Sequence, residues 1–205
     1  MNPPPTRLRF AGLHRRFGKL AVLAGVSGEA VSGQVLLVTG ANGSGKSTLL
    51  RCLAGLLASD VGEIELAEEG RPVAAGERRF RVGYLAPDLA FYEALTTLEN
   101  LRFFARLRRV DPARAAALLD RVGLPHDRAA GALSSGMLQR LRWCWAVLHR
   151  PAVLLADEPF QNLDDPGCRV ARELLDEQLE RGLAVVANPA HLQLPRVASH
   201  VDLDR

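Results

Sequence analysis

The chain has 205 residues, 48% of them hydrophobic and 24% charged, with a formal charge of +3. That suits a soluble globule with a real core and excludes a membrane span, because no stretch approaches the ~18 apolar residues that a transmembrane helix needs. No dense basic run alternates with aromatics, so the mild positive charge implies no nucleic-acid partner. Cys52, Cys144 and Cys168 form neither a pair spacing nor a metal motif. The first two sit in helical patterns, where free cysteine is core filler. The N-terminal residues Met1 to Phe10 lack the apolar run of a signal peptide. A reducing, cytoplasmic compartment is expected.

In chain order, Leu8 to Leu13 and Leu23 to Val31 read as strands around a turn near Phe17-Gly18-Lys19. Ser32-Gly33 hinges into Val35-Leu36-Leu37-Val38, a short apolar run right for a buried parallel strand. From Lys46 the pattern is helical, with Leu49, Leu50, Leu53, Leu56 and Leu57 on one broad face. Glu63 to Leu66 alternates like an edge strand, Gly70 to Gly76 is a polar turn, and Arg81 to Leu85 is another strand. From about Asp88 to Arg150 the pattern is helical throughout. Thr96 with Glu99 forms a capping box for a helix to about Arg109. Asp111-Pro112 opens a second helix, and a third runs from about Ser135 to His149 with Leu138, Leu141, Trp145 and Leu148 as its stripe. Trp145 is expected in the core, and Trp143 partly exposed as an anchor for a partner. Ala152 to Ala156 is a strand, Asp165-Pro166 caps a helix, and Leu183 to Ala187 is a strand. The expected fold is therefore α/β over residues 1–205. It has a mostly parallel sheet, a β-rich start and a helical lobe inserted at about residues 88–150, with ligand at the strand C-terminal ends.

Between the apolar strand and the first helix lies Gly40-Ala41-Asn42-Gly43-Ser44-Gly45-Lys46-Ser47-Thr48. This is a phosphate-loop pattern. Its glycines let successive backbone N–H groups point at phosphate oxygens, and the helix N-terminus faces the same anion. Lys46 supplies a cation for the β- and γ-phosphates, and the Ser47 hydroxyl can ligate Mg²⁺. The chain holds 24 arginines and only two lysines, Lys19 and Lys46. Where arginine is chosen almost everywhere, the lysine in this loop is a requirement of the loop.

Val153 to Ala156 delivers Asp157 and Glu158 to the sheet edge. Asp157 is placed to hold Mg²⁺, and Glu158 to accept a proton from the attacking water or to orient it. Leu133-Ser134-Ser135-Gly136-Met137 opens the third helix, so its N–H groups and the Ser134 hydroxyl form a second anion site. A chain with two such sites can hold one nucleotide between two copies of itself.

Together these residues resemble the ATPase subunits of ATP-binding cassette transporters over nearly the whole chain. The family signature L-S-G-G-Q reads L-S-S-G-M here. The resemblance implies a phosphate-loop NTPase core with an N-terminal antiparallel β subdomain and an inserted α-helical subdomain. It also implies ATP and Mg²⁺ as cofactors and a head-to-tail homodimer around two ATP. The implied partners are integral membrane permease subunits, met on the inner face of the cell membrane. In the family frame Phe17, 29 residues before Lys46, stacks on adenine. Asn42, Gly43 and Thr48 belong to the nucleotide loop, and Asp164 to the dimer-contact loop Asn162-Leu163-Asp164. His191, 33 residues after Glu158, is the γ-phosphate switch.

Two positions depart from the family. Its lobe-junction glutamine is replaced by Pro87 or Asp88, so Asp88 or a backbone carbonyl would help position metal and water. Ala190 stands where threonine precedes the switch histidine. The run Leu95 to Phe104 looks like the ATPase subunit of bacterial heme exporters in cytochrome c maturation. The face formed by Arg102, Arg106 and Arg109 is either solvated or in contact with a membrane subunit or anionic headgroups. Rival readings are a soluble cassette ATPase for cluster assembly or repair, and a non-hydrolysing regulatory nucleotide binder.

Overall fold

The computed structural model describes residues 5–188 and 193–204. Strict alternation builds the first layer. In β1 (Thr6–Phe17), Thr6, Leu8 and Phe10 are buried while Arg7 and Arg9 face solvent. The strand β1 pairs antiparallel with β2 (Leu20–Val31) and β4 (Val61–Glu68), and β5 (Arg71–Pro72) extends the sheet in the order β2-β1-β4-β5.

The second sheet contains β3 (Val35–Thr39), β6 (Val82–Leu85), β7 (Val153–Asp157), β8 (Leu183–Ala187) and β9 (Val197–Asp202). Its order is β6-β7-β8-β3-β9, and each adjacent pair is parallel. Strands β3, β7 and β8 are buried at every position, because both sheet faces are covered. Alternation sorts their side chains: Val153, Leu155, Leu36 and Val38 pack with β1, β2 and α1 (Lys46–Leu53). Leu154, Ala156 and Val35 pack with α5 (Ser135–Val147) and α6 (Asp165–Leu179). A four-residue turn of helix, α2 (Arg78–Arg81), precedes β6. Helices α3 (Thr97–Leu107), α4 (Ala113–Arg121) and α5 lie in the chain between the neighbouring strands β6 and β7.

The capping box at Thr96 forms as expected, with Glu99 N donating to Thr96 Oγ1 and Thr96 N to Glu99 Oε2. Other details differ from the sequence expectation. Helix α1 stops at Leu53, because Gly55 takes a left-handed φ of 72° and Leu56 N turns back to Arg51 O. Leu56 therefore leaves the apolar face and is 61% exposed. The N-cap of α6 is Asp164, not Asp165, and its carboxylate accepts from Gly167 N at 3.0 Å.

The two tryptophans exchange their expected places. Trp143 is 1% exposed, with its indole N–H donating to Pro159 O at 2.8 Å. Trp145 is half-buried and meets the edge of Phe104. Of the expected stripe, Leu141 and Leu148 are buried while Leu138 and Trp145 are half-buried, because α5 is enclosed by the sheet and by other helices and buries residues on most of its circumference. Strand β9 escaped sequence reading because its Val197, Ala198 and His200 are exposed, giving no apolar pattern.

Candidate functional site

Ala187, at the end of β8, pairs with Asp157 of β7 on one side and Val38 of β3 on the other. The two chemistry-bearing turns thus leave the sheet at one edge, a strand apart. Gly40, Gly43 and Gly45 have φ values of 146°, 87° and 104°, the left-handed backbone that lets the loop curl over the start of α1. Gly45 also has a packing reason: a Cβ there would lie 2.8 Å from Val22 O of β2. The hairpin β1–β2, whose turn carries Phe17, is therefore held against the phosphate loop. Between them is a groove of about 580 Å³ that includes Leu20, Ala21, Gly43 and Ser44. Phe17 is 48% exposed, with the Arg15 guanidinium 4.9 Å from its ring centroid. Asn42 and Gly43 are exposed at the crest of the loop, and Thr48 is half-buried in the first turn.

Lys46 is only 6% exposed. Its ammonium donates to Gly40 O at 2.7 Å and Ala41 O at 2.8 Å, lacing the loop from beneath. The lysine is thus part of the loop's internal structure. Ammonium has three N–H donors, and two are used here. The first bond of the loop is also fixed from far along the chain. Ala41 N donates to both carboxylate oxygens of Asp204, at 2.8 and 2.9 Å.

Ser47 Oγ donates to Asp157 Oδ2 at 2.5 Å, which brings the two expected metal ligands to one point. Both are hard oxygen donors. Among the described residues no cluster of three or more acidic, histidine or cysteine side chains exists to cage a metal. A hydroxyl and one carboxylate suit Mg²⁺, which keeps several waters and takes its remaining ligands from phosphates. Burial pushes the Asp157 carboxyl above the ordinary range, against the opposing effects of the Ser47 hydroxyl and the Lys46 charge. Ionised and without a cation, Asp157 therefore costs the fold stability at neutral pH. A carboxyl whose folded pKa is raised adds stability as pH falls, and that contribution is lost as pH rises. Asp157→Asn is accordingly expected to raise the Tm of the ligand-free protein at pH 7. Calorimetric scans of both proteins at pH 7 and pH 4 check this: the gain should shrink at the lower pH.

Glu158 follows in a left-handed conformation, φ 46°, uncommon for a side-chain-bearing residue. Its N–H donates to Ala187 O at 2.9 Å, and its carbonyl accepts from Gln139 Nε2 at 3.1 Å. Such a conformation persists when its surroundings over-determine it. Asp88, expected to help position metal and water, is paired with Arg51 of α1 at 2.6 Å. Its carboxylate would have to leave that guanidinium to act as a ligand. Arg51 escaped sequence reading because a lone arginine in a last helical turn carries no signal there.

Ser134 is the exposed N-cap of α5, its hydroxyl accepting from Met137 N at 3.3 Å. A Cβ on Gly136 would lie 2.7 Å from Asn162 O, so only glycine lets the loop of Asn162, Leu163 and Asp164 sit against the helix start. Asp164 accepts from Arg140 Nη2 at 2.5 Å, fixing the same junction. His191 lies outside the described residues.

This arrangement has relatives. The chain is 33% identical over 189 residues to an uncharacterized ABC transporter ATP-binding protein of Bacillus subtilis, a match covering 90% of this chain and 61% of that protein. It is 37% identical to a phosphonates import ATP-binding protein of Rhodopseudomonas palustris, over 82% of this chain and 69% of that one. The chain thus spans about three-fifths to two-thirds of the length of these curated relatives. An ATP-binding subunit of an ABC transporter superposes with TM-score 0.77 and 27% identity, covering 88% of this chain and 79% of that one. A dimeric ATP-binding cassette bound to ADP and phosphate shares the fold, with TM-score 0.75 and 22% identity, covering 88% of each chain. The family model described as ABC transporter matches residues 23–161, two-thirds of the sequence and every site element from the phosphate loop to the Asp157-Glu158 turn, and the chain belongs to that family.

Proposed function

We propose that this chain binds ATP with Mg²⁺ and hydrolyses it, and that two copies meet head to tail to drive a membrane permease from the cytoplasmic face of the cell membrane. The observation that carries the reading is the 2.5 Å contact of Ser47 with Asp157 beside the buried Lys46, with Glu158 next in the chain. The third N–H of Lys46 is available for phosphate, and the N–H groups at the start of α1 face the same anion. Ser47 and Asp157 would hold Mg²⁺, which neutralises phosphate charge when bound. Glu158 acts on the attacking water: as its oxygen bonds to the γ-phosphorus and the bond to the β-phosphate oxygen breaks, the proton passes to the carboxylate. Phe17 offers a half-exposed ring for adenine on the hairpin that packs on the phosphate loop. His191 completes the site as the γ-phosphate switch in this proposal.

The second copy contributes Ser134 and Gly136, whose exposed helix start presents N–H groups to the γ-phosphate. Asp164 lies in the loop packed beside them. Among the described residues no helix is long and apolar enough to cross a membrane, and the membrane partner in this proposal is a permease. The heme-export reading rests on resemblance in the run Leu95 to Phe104 and in the short length. The phosphonates import relative, and a zinc import ATP-binding protein of Cereibacter sphaeroides 37% identical over 79% of this chain, give it no support.

The test is Mg²⁺-dependent phosphate release from ATP by the purified chain. ATP bound without turnover, with permease present, would favour a regulatory binder instead. The Asp88–Arg51 pair gives a second expectation. Asp88→Ala should lower the hydrolysis rate more than the affinity for ATP, because the pair touches the loop beside the site and not the phosphate loop itself. Steady-state rates with calorimetric ATP titration decide this; equal losses would reduce Asp88 to a turn residue.

A further inference from the structure

We propose that Arg142 is a positioning residue for hydrolysis, tying the loop that bears Asp88 to the main chain at Glu158 so that the two turns beside the reacting phosphate move as one. The proposal rests on the ATPase reading above and adds a residue that no part of that site includes.

Arg142 lies three positions after Gln139, on the same face of α5. Its Nη2 donates to Pro87 O and its Nε to Leu89 O at 3.3 Å. One guanidinium thus grips the backbone on both sides of Asp88. Its Nη1 donates to Gln139 Oε1 at 3.3 Å. Gln139 is 1% exposed, and its amide nitrogen donates to Glu158 O at 3.1 Å and Pro159 O at 3.0 Å. The orientation of that amide is dictated by chemistry. Arg142 can only donate and the two carbonyls can only accept, so Oε1 must face the arginine and Nε2 the Glu158 turn.

The connection is therefore continuous: Pro87 and Leu89, Arg142, Gln139, Glu158. The Asp88 carboxylate adds a further tie, through Arg51, to the helix that follows the phosphate loop. The planar fork of arginine is needed here, since a lysine ammonium could not span both loop carbonyls and the glutamine oxygen. The Glu158 turn needs such support because of its left-handed backbone. A shift of the Asp88 loop drags Arg142, which loosens Gln139 and with it the carbonyl that fixes the direction of the Glu158 side chain.

Arg142→Leu should lower kcat about tenfold while KM for ATP stays within about twofold, since the phosphate loop is untouched. Amide hydrogen exchange should quicken at 87–90 and at 158–162 together. Arg142→Lys, which keeps the charge and loses the fork, should recover only part of kcat, and it serves if the leucine variant does not fold. In the Asp88→Ala background the kcat loss from Arg142→Leu should be smaller than in wild type, as coupled residues are non-additive. The proposal is overturned if kcat is unchanged, if exchange quickens only at 87–90, or if the two losses multiply. A wild-type protein that binds ATP without hydrolysing it would strike the ATPase reading instead. The exchange comparison would still decide whether Arg142 joins the two turns.

Discussion

Glu158→Gln is expected to bind ATP at least as tightly as wild type and to turn it over about 10²–10⁴-fold more slowly, the usual cost of losing a general base. The amide keeps the shape and hydrogen bonding of the side chain but cannot take the proton. In the proposed site it also removes a negative charge from beside the γ-phosphate, which favours binding. The backbone is unaffected, because Glu158 enters the bonds that hold this turn through its own main-chain atoms, its N–H to Ala187 O and its carbonyl from Gln139 Nε2. Since Ser134 and Gly136 of a second copy complete the proposed site, uncleaved ATP should hold two chains together. Light scattering should find a dimer for Glu158→Gln with ATP and Mg²⁺, and a monomer once Ser134→Arg is added. Arginine at that exposed N-cap would crowd the phosphate approach and forfeit the Met137 cap, about 1 kcal/mol of helix stability. A Glu158→Gln protein that stays monomeric with ATP bound would remove the composite site, or would make the membrane partner a condition of pairing.

Lys46→Ala is expected to lose about 100-fold or more in ATP affinity, corresponding to about 3 kcal/mol from one charge-assisted phosphate contact. It should also destabilise the fold. The ammonium is buried and bridges Gly40 O and Ala41 O, so its removal leaves two loop carbonyls without their charged donor. A lower Tm without nucleotide, together with lost binding by calorimetry, is the expected pair of results. Full ATP affinity in a folded Lys46→Ala protein would contradict the site. Lys46→Arg is not expected to restore binding, because a planar guanidinium does not reproduce the contacts of a compact ammonium.

Much of this molecule is legible in its sequence, for reasons local to the chain. The glycines and Lys46 of the phosphate loop, the apolar runs ending in Asp157 and Glu158, and the Thr96–Glu99 box each encode their geometry within nine residues or fewer. Period-two burial in β1 and the all-apolar strands of the parallel sheet follow from side-chain alternation and from which faces are covered. What the sequence left undecided depends on packing between distant segments. Trp143 is buried and Trp145 half-exposed because α5 is surrounded, and no stripe marks the outward side of a surrounded helix. Lys46 is buried because its loop closes over it. Asp88 faces Arg51, 37 residues away, and Asp204 seats on Ala41, 163 residues away. Pairings of polar side chains across such separations leave no period or spacing behind, so Arg51, Gln139 and Arg142 are brought beside the proposed site only when the chain is folded.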